Sequence, residues 1–77
     1  MGLQVIVRYE NENEIIDTLK GALNSCEGFF IDKNLFGLSI PTDILDFVGE
    51  DNIWATLENF DVYDLWAGKW HYKKLSI

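Results

Sequence analysis

The chain contains one histidine, His71, and one cysteine, Cys26, so few of its side chains are suited to acid–base or nucleophilic chemistry. If the C-terminal segment forms a hairpin, Asp64 lies opposite His71, and a carboxylate that orients a histidine is half of a nucleophilic triad. The nucleophile is missing, because Cys26 follows a predicted helix and no serine lies in a nucleophile-elbow motif. We therefore interpret Asp64 and His71 as a surface pair and predict that the chain is not an enzyme.

Clustered carboxylates could instead bind a metal ion. Asp43 and Asp46 share one face of a predicted helix, and Glu50 and Asp51 follow closely. Their order does not match the loop of an EF-hand, and no group of His and Cys residues has the spacing of a zinc site. The glycines are dispersed, so no glycine-rich loop is present that could bind phosphates. The sequence predicts neither a dedicated metal site nor a cofactor.

The acidic residues are concentrated in one part of the chain. Between Asn34 and Gly68 there are seven carboxylates and no Lys or Arg, and this stretch accounts for the whole net charge of −7. The carboxylates are Asp43, Asp46, Glu50, Asp51, Glu58, Asp61 and Asp64. A surface of one sign destabilises a small domain by self-repulsion and repels phosphate groups. We therefore expect no direct binding to nucleic acid and no binding to a membrane.

The composition is typical of one compact domain that spans residues 1–77. A chain of this length buries only about 60–65% of the surface that its unfolded form exposes, and a hydrophobic content of 48% compensates for this small core. No apolar run is long enough to cross a bilayer. A single cysteine cannot form an intrachain disulfide, and this usage is typical of a reducing compartment. We expect a cytoplasmic protein.

The first elements are a strand and a helix. Apolar residues alternate from Leu3 to Tyr9, which predicts a strand. Asn11 followed by Glu14 resembles a capping box and precedes an apolar stripe with helical spacing. That stripe consists of Ile15, Ile16, Leu19, Ala22 and Leu23.

A hairpin is predicted next. Two apolar runs, at residues 29–31 and 35–40, flank Lys33-Asn34. With these two residues as the loop, Phe30 lies opposite Gly37, where an aromatic ring can cover the glycine.

The following segment can be interpreted in two ways. A short helix from Thr42, which can cap it, to Val48 ends at Gly49. Asn52–Gly68 could then form another helix, but its apolar residues are scattered around the helical wheel. We interpret Ile53–Leu57 as a strand.

The C-terminal residues predict a second hairpin with a two-residue loop at Ala67-Gly68. A single register of the two strands gives the cross-strand pairs Asp61–Lys74, Tyr63–Tyr72, Asp64–His71 and Leu65–Trp70. Both faces of this hairpin carry large apolar residues. Because helices cover only one face of a sheet in a two-layer domain, we expect some aromatic side chains to be exposed.

The predicted fold is α+β, a small single domain in which two helices pack on an antiparallel-rich sheet. The element order is β-α-β-β-α-β-β-β, ending in the C-terminal hairpin. By its surface the chain resembles the small acidic inhibitors that phages and toxin operons encode. This resemblance implies a phage anti-defence protein (anti-CRISPR or anti-restriction) or a toxin immunity protein.

We predict a stoichiometric inhibitor whose carboxylates imitate a nucleic-acid backbone and bind a protein partner with a basic groove. The predicted contact residues are the seven carboxylates named above together with Trp54, Tyr63 and Trp66. The alternative is a homodimer or larger assembly, a structural or accessory subunit without catalysis, that buries its aromatic sheet face.

Overall fold

The computed structural model describes residues 2–21 and 23–73. The described elements are β1 (Leu3–Arg8), α1 (Glu12–Lys20), β2 (Glu27–Asp32), β3 (Leu35–Ile40), α2 (Thr42–Val48), α3 (Glu50–Leu57), β4 (Asp61–Asp64) and β5 (Lys69–His71). The strands form one antiparallel sheet in the order β2-β3-β1-β4-β5. The predicted α+β class and antiparallel sheet are confirmed. No helix in the described part of the chain is long and apolar enough to cross a membrane.

Strand β1 is central and pairs with β3 on one side and β4 on the other. Its residues alternate as the sequence predicts, and Val5 and Val7 are only 1% exposed. Their side chains lie in the core with buried residues of the helices, such as Ile15 and Ile53. Because side chains alternate along a strand, Ile6 and Arg8 lie on the opposite face.

The hydrophobic core lies on one side of the sheet. Its buried members are Leu3, Val5, Val7, Tyr9, Ile15, Leu23, Phe36, Leu38, Ile40, Ile53, Leu57, Phe60 and Val62. We call the other side the open sheet face, because large apolar residues there, including Phe29, Ile31 and Leu65, remain exposed.

Helix α1 begins as predicted at Asn11, whose side chain accepts a hydrogen bond from the Asn13 backbone N–H at 2.9 Å. Acids in its first turn and Lys20 in its last turn interact favourably with the helix dipole. The helix ends at Lys20, before the end of the apolar stripe, and the Gly21 N–H donates to the Thr18 carbonyl. Ala22 lies outside the described residues.

The β2–β3 hairpin has the predicted loop, since Asp32 pairs with Leu35. Its register differs further along, because a bulge between Phe30 and Asp32 shifts the pairing by one residue. Phe29, not Phe30, therefore lies opposite Gly37. A Cβ at Gly37 would come within 2.8 Å of the Phe29 ring, so the aromatic ring does cover the glycine.

The prediction that Ile53–Leu57 is a strand is wrong, because these residues belong to α3. Helix α2 ends at Gly49, whose φ of 93° and ψ of 131° turn the chain directly into α3. Ile53 and Leu57 are four residues apart, so they lie on the same side of the helix and both are buried. The element order therefore has a third helix in place of the predicted strand. Thr42 was predicted to cap α2, but it is the first helical residue and no side-chain cap is present.

The C-terminal hairpin is confirmed, but its predicted register is wrong by two residues. Tyr63 pairs with Trp70 and Asp64 with Lys69, which leaves a four-residue loop at residues 65–68. A shift of two residues keeps every side chain on its predicted face, because the strand period is two. The predicted partner of Asp61, Lys74, lies outside the described residues.

Replacement of Ile53 tests the helical assignment of this segment and the core that it builds. We expect Ile53→Ala to lower the free energy of unfolding by about 2–5 kcal/mol, because the side chain is fully buried and leaves a cavity. Ile16→Ala in α1 is the matched control, since Ile16 is 37% exposed. Urea denaturation measures both values, and equal losses would contradict the described core.

Candidate functional site

Exposed carboxylates gather where α2 meets α3. Asp46, Glu50 and Asp51 are all exposed, and none of the three forms an ion pair with another residue in the described ranges. Phe47 follows Asp46 in the chain and is 89% exposed. We call these four residues the acidic corner. Glu50 and Asp51 also have a structural role, because acids in the first turn of a helix interact favourably with its dipole.

A groove connects the acidic corner to the C-terminal hairpin. Its volume is about 590 Å³, and Asp46, Glu50, Asp64 and Trp66 line it. The indole N–H of Trp66 donates to the Gly2 carbonyl at 3.1 Å. This bond fixes the orientation of a ring that is still 60% exposed. We call this the Trp66 groove.

Asp64 organises the loop that presents Trp66. One of its carboxylate oxygens, Oδ1, accepts hydrogen bonds from the backbone N–H groups of Trp66 at 2.9 Å and Ala67 at 3.1 Å. The other oxygen, Oδ2, lies 4.0 Å from His71 Nε2. The two residues are therefore close, although they are diagonal neighbours and not the direct partners that the sequence predicted.

His71 takes part in a second groove, which residues of α3 and of the C-terminal hairpin line. The imidazole packs against the Trp54 ring in a tilted arrangement, with ring centroids 4.5 Å apart and an interplanar angle of 31°. The groove has a volume of about 380 Å³, and Asp51, Glu58 and Tyr72 line it together with these two rings. Buried Leu57, Phe60 and Val62 also line this groove, which we call the Trp54 groove.

Three predicted contact residues lie elsewhere. Tyr63 packs edge-to-face on Trp70 at 5.3 Å, away from both grooves. Asp61 accepts a hydrogen bond from the Lys73 backbone N–H at 2.8 Å. Burial and, to a smaller extent, the negative charge of Asp43 raise the pKa of the Cys26 thiol above its usual value.

Sequence reasoning missed Phe47, which was not among the predicted contact residues. Leu45 and Phe47 are two residues apart, so they lie on nearly opposite sides of a helix. Leu45 packs against the core and Phe47 points outward. A helical wheel for residues 42–48 would have identified Phe47. Tyr72, which is 70% exposed and stacks on Trp70 with ring centroids 6.4 Å apart, was also not among the predicted contact residues.

The open sheet face offers a different kind of surface. Phe29 is 64% exposed there, and together with Ile6, Ile31, Gly37 and Leu65 it lines a shallow groove of about 310 Å³. Most of the surface of this groove is apolar, in contrast to the carboxylates that line the other two.

Within residues 2–21 and 23–73, no group of three or more His, Cys, Asp or Glu side chains is arranged to hold a metal ion. Comparison with known proteins found no matching family model, no similar curated protein and no similar solved structure.

Removal of the Asp64 carboxylate tests how the Trp66 loop is held. We expect Asp64→Ala to destabilise the fold by about 1–3 kcal/mol, because two backbone N–H groups each lose a hydrogen bond of about 0.5–1.5 kcal/mol. The Trp66 indole N–H should also exchange faster with solvent. Asp64→Asn is the control, since it keeps an oxygen acceptor. Hydrogen exchange by NMR measures the effect, and an unchanged Trp66 indole in Asp64→Ala would contradict this role.

Proposed function

We propose that the chain is a small acidic protein-binding module that acts as a stoichiometric inhibitor and has no catalytic activity of its own. Its partner is a protein with a basic groove that binds nucleic acid or carries out catalysis. The observation that carries this proposal is the acidic corner, where three exposed carboxylates form no ion pair with another described residue and Phe47, next to Asp46 in the chain, is 89% exposed.

The carboxylates supply long-range attraction. A one-sign surface steers association with a surface of opposite charge and raises the association rate. Carboxylates can also occupy positions that phosphates take in a basic groove. Asp46, Glu50 and Asp51 are the best candidates, because no described Lys or Arg forms an ion pair with them.

The exposed aromatic rings supply short-range affinity. Interface hot spots are enriched in large aromatic residues that become buried on binding. Phe47 in the acidic corner and Trp66 in the adjoining groove are both largely exposed, and the Trp66 ring is held in place before binding. A surface that served solubility alone would gain nothing from these rings, so their position favours a protein contact.

The setting that fits this surface is inhibition of a nucleic-acid-handling enzyme, as in phage anti-defence, or of a toxin, as in immunity proteins. The module contacts the protein and not the nucleic acid, since its net charge of −7 repels phosphates. Both settings place it in the cytoplasm.

Pull-down from a cell lysate at low and high salt tests the proposal. We expect a partner with a basic surface to be retained at low salt and released at high salt, because screening weakens attraction between exposed charges. We expect Glu50→Lys together with Asp51→Lys to weaken this complex at least tenfold. Glu12→Lys together with Glu14→Lys is the matched control, since these acids occupy the first turn of α1.

The control pair changes the net charge by the same amount and disturbs a helix dipole in the same way, so it isolates the position of the charge. A complex that is indifferent to salt, or equal losses in the two double variants, would show that the acidic corner is not the contact. Circular dichroism confirms that both variants remain folded.

The open sheet face favours a second candidate, a homodimer or larger assembly that acts as a structural or accessory subunit. Phe29, Ile31 and Leu65 expose apolar surface on one side of the sheet, and such surface is typical of protein interfaces. Back-to-back association through this face would leave the acidic corner of each copy accessible.

Sedimentation velocity between micromolar and millimolar concentration tests this assembly. If the second candidate holds, the chain dimerises and Leu65→Glu abolishes dimerisation, because a charge is then buried at the interface. Phe47→Glu, a change at another exposed apolar residue, should leave it intact. A monomer throughout the concentration range would eliminate the self-assembly candidate.

A further inference from the structure

We infer that strand β2 pairs edge to edge with β2 of a second copy of the chain, in antiparallel orientation, so that two five-stranded sheets become one continuous sheet. This inference goes beyond the proposed function, because it holds whether or not the chain inhibits a basic partner. It also uses a different surface from back-to-back association through the open sheet face.

Strand β2 is an available edge. It lies at one end of the sheet and, among the described strands, pairs only with β3. The backbone N–H and C=O groups on its other side are therefore free to pair with a further strand. Natural edge strands are commonly protected by a charge or a proline near the middle. Residues 28–31 contain neither, and all six residues of β2 are exposed.

The charges select one register. Two identical strands pair about a two-fold axis, and directly opposite residues lie on the same sheet face, so the axis passes through one residue position. With Phe30 on the axis, Glu27 of each copy lies opposite Lys33 of the other. With Phe29 there, Glu27 would face Ile31, and with Ile31 there, Lys33 would face Phe29. Neither Glu27 nor Lys33 forms an ion pair with another described residue, so both charges are available for this contact.

The apolar side chains agree with this register. Phe29 and Ile31 line the same groove of the open sheet face, and they lie opposite each other across the axis. On the helical side of the sheet, Phe30 packs edge-to-face on Phe36 at 5.0 Å and on Tyr9 at 6.1 Å. Phe30 is still 50% exposed. Contact with the same ring of the second copy continues this aromatic cluster across the axis.

The bulge in β2 limits the strength of the contact. It lies between Phe30 and Asp32, and a bulge bends the strand that carries it. The paired segment is therefore short, and small interfaces are typical of weak or transient complexes. We expect a dimer with a dissociation constant in the micromolar range. The Trp66 loop connects β4 to β5 at the opposite edge of the sheet, so it lies away from this contact.

Charge reversal tests the register by sedimentation velocity between micromolar and millimolar concentration. We expect Glu27→Lys and Lys33→Glu each to weaken the dimer about tenfold, because two symmetrical pairs become repulsive. The two changes together should restore the wild-type affinity to within threefold. Overall repulsion predicts a different result, since Glu27→Lys lowers the magnitude of the net charge of −7 and would tighten the dimer. A monomer throughout the range, or a double variant no tighter than the single variants, would overturn the inference.

Disulfide trapping tests the axis position. Directly opposite residues have Cβ atoms about 4.5–5.5 Å apart, close to the distance of about 3.5–4.5 Å that a disulfide needs. In a Cys26→Ser background, Phe30→Cys should therefore form a covalent dimer under mild oxidation. Phe47→Cys, at an exposed residue outside the contact, should do so at least tenfold more slowly. Equal rates would overturn the edge contact, and circular dichroism confirms that both variants are folded.

Leu65→Glu separates the edge dimer from back-to-back association. Leu65 follows β4, which is separated from β2 by two strands, so this change should leave the edge dimer intact. Loss of the dimer in Leu65→Glu, with no loss in Glu27→Lys, would overturn the inference in favour of the open sheet face. Because these measurements need no partner, they are independent of the salt-sensitive complex.

Discussion

Strand β1 joins the two halves of the molecule, because one edge pairs with β3 and the other with β4. Val5 and Val7 bring its inner face into the same core as Ile53 and Leu57 of α3. The same N-terminal segment also supports the candidate site. The Gln4 carbonyl accepts the Leu65 N–H at 3.1 Å, and the Gly2 carbonyl accepts the Trp66 indole. The wall that Trp66 contributes to the Trp66 groove is therefore held in place only when this central pairing is formed.

The helices contribute buried residues to only one side of the sheet, and this divides the surface into two chemically different parts. On the helical side, α2 and α3 present carboxylates beside Phe47, Trp54 and Trp66. On the open sheet face, Arg8 lies 4.4 Å from the centroid of the Trp70 ring, which places one of the few cations over an aromatic surface. The helical side can thus attract a basic partner while the open sheet face associates through apolar contacts. Because the two faces are separate, the two kinds of association do not compete for the same surface.

The sequence predicted those elements whose pattern is local. Alternation in β1, the Asn11 cap and the Lys33-Asn34 loop were each interpreted correctly. The errors arose where distant contacts decide between alternatives. Nothing in the apolar run at 29–31 reveals a bulge, and the choice between helix and strand for α3 depends on how Ile53 and Leu57 meet the core. At the candidate site, the acids and Trp66 were predicted from the sequence, but their division between two grooves was not. That division depends on the third helix, α3. It also depends on the Asp64 carboxylate, whose hydrogen bonds close a loop longer than the predicted two residues Ala67-Gly68.

The order of strands in the sheet also has a kinetic consequence. Both neighbours of β1 come later in the chain, and Val7 pairs with Val62, which lies 55 positions further along the sequence. Contacts between residues so far apart raise the contact order. Proteins with high contact order fold slowly, because a long loop must lose conformational entropy before the strand pairing stabilises it. During synthesis, the edge of β1 that later binds β4 remains without its partner after β3 has emerged. The C-terminal hairpin that carries Trp66 and His71 therefore also completes the sheet, so that the candidate binding surface exists only in chains that have finished folding.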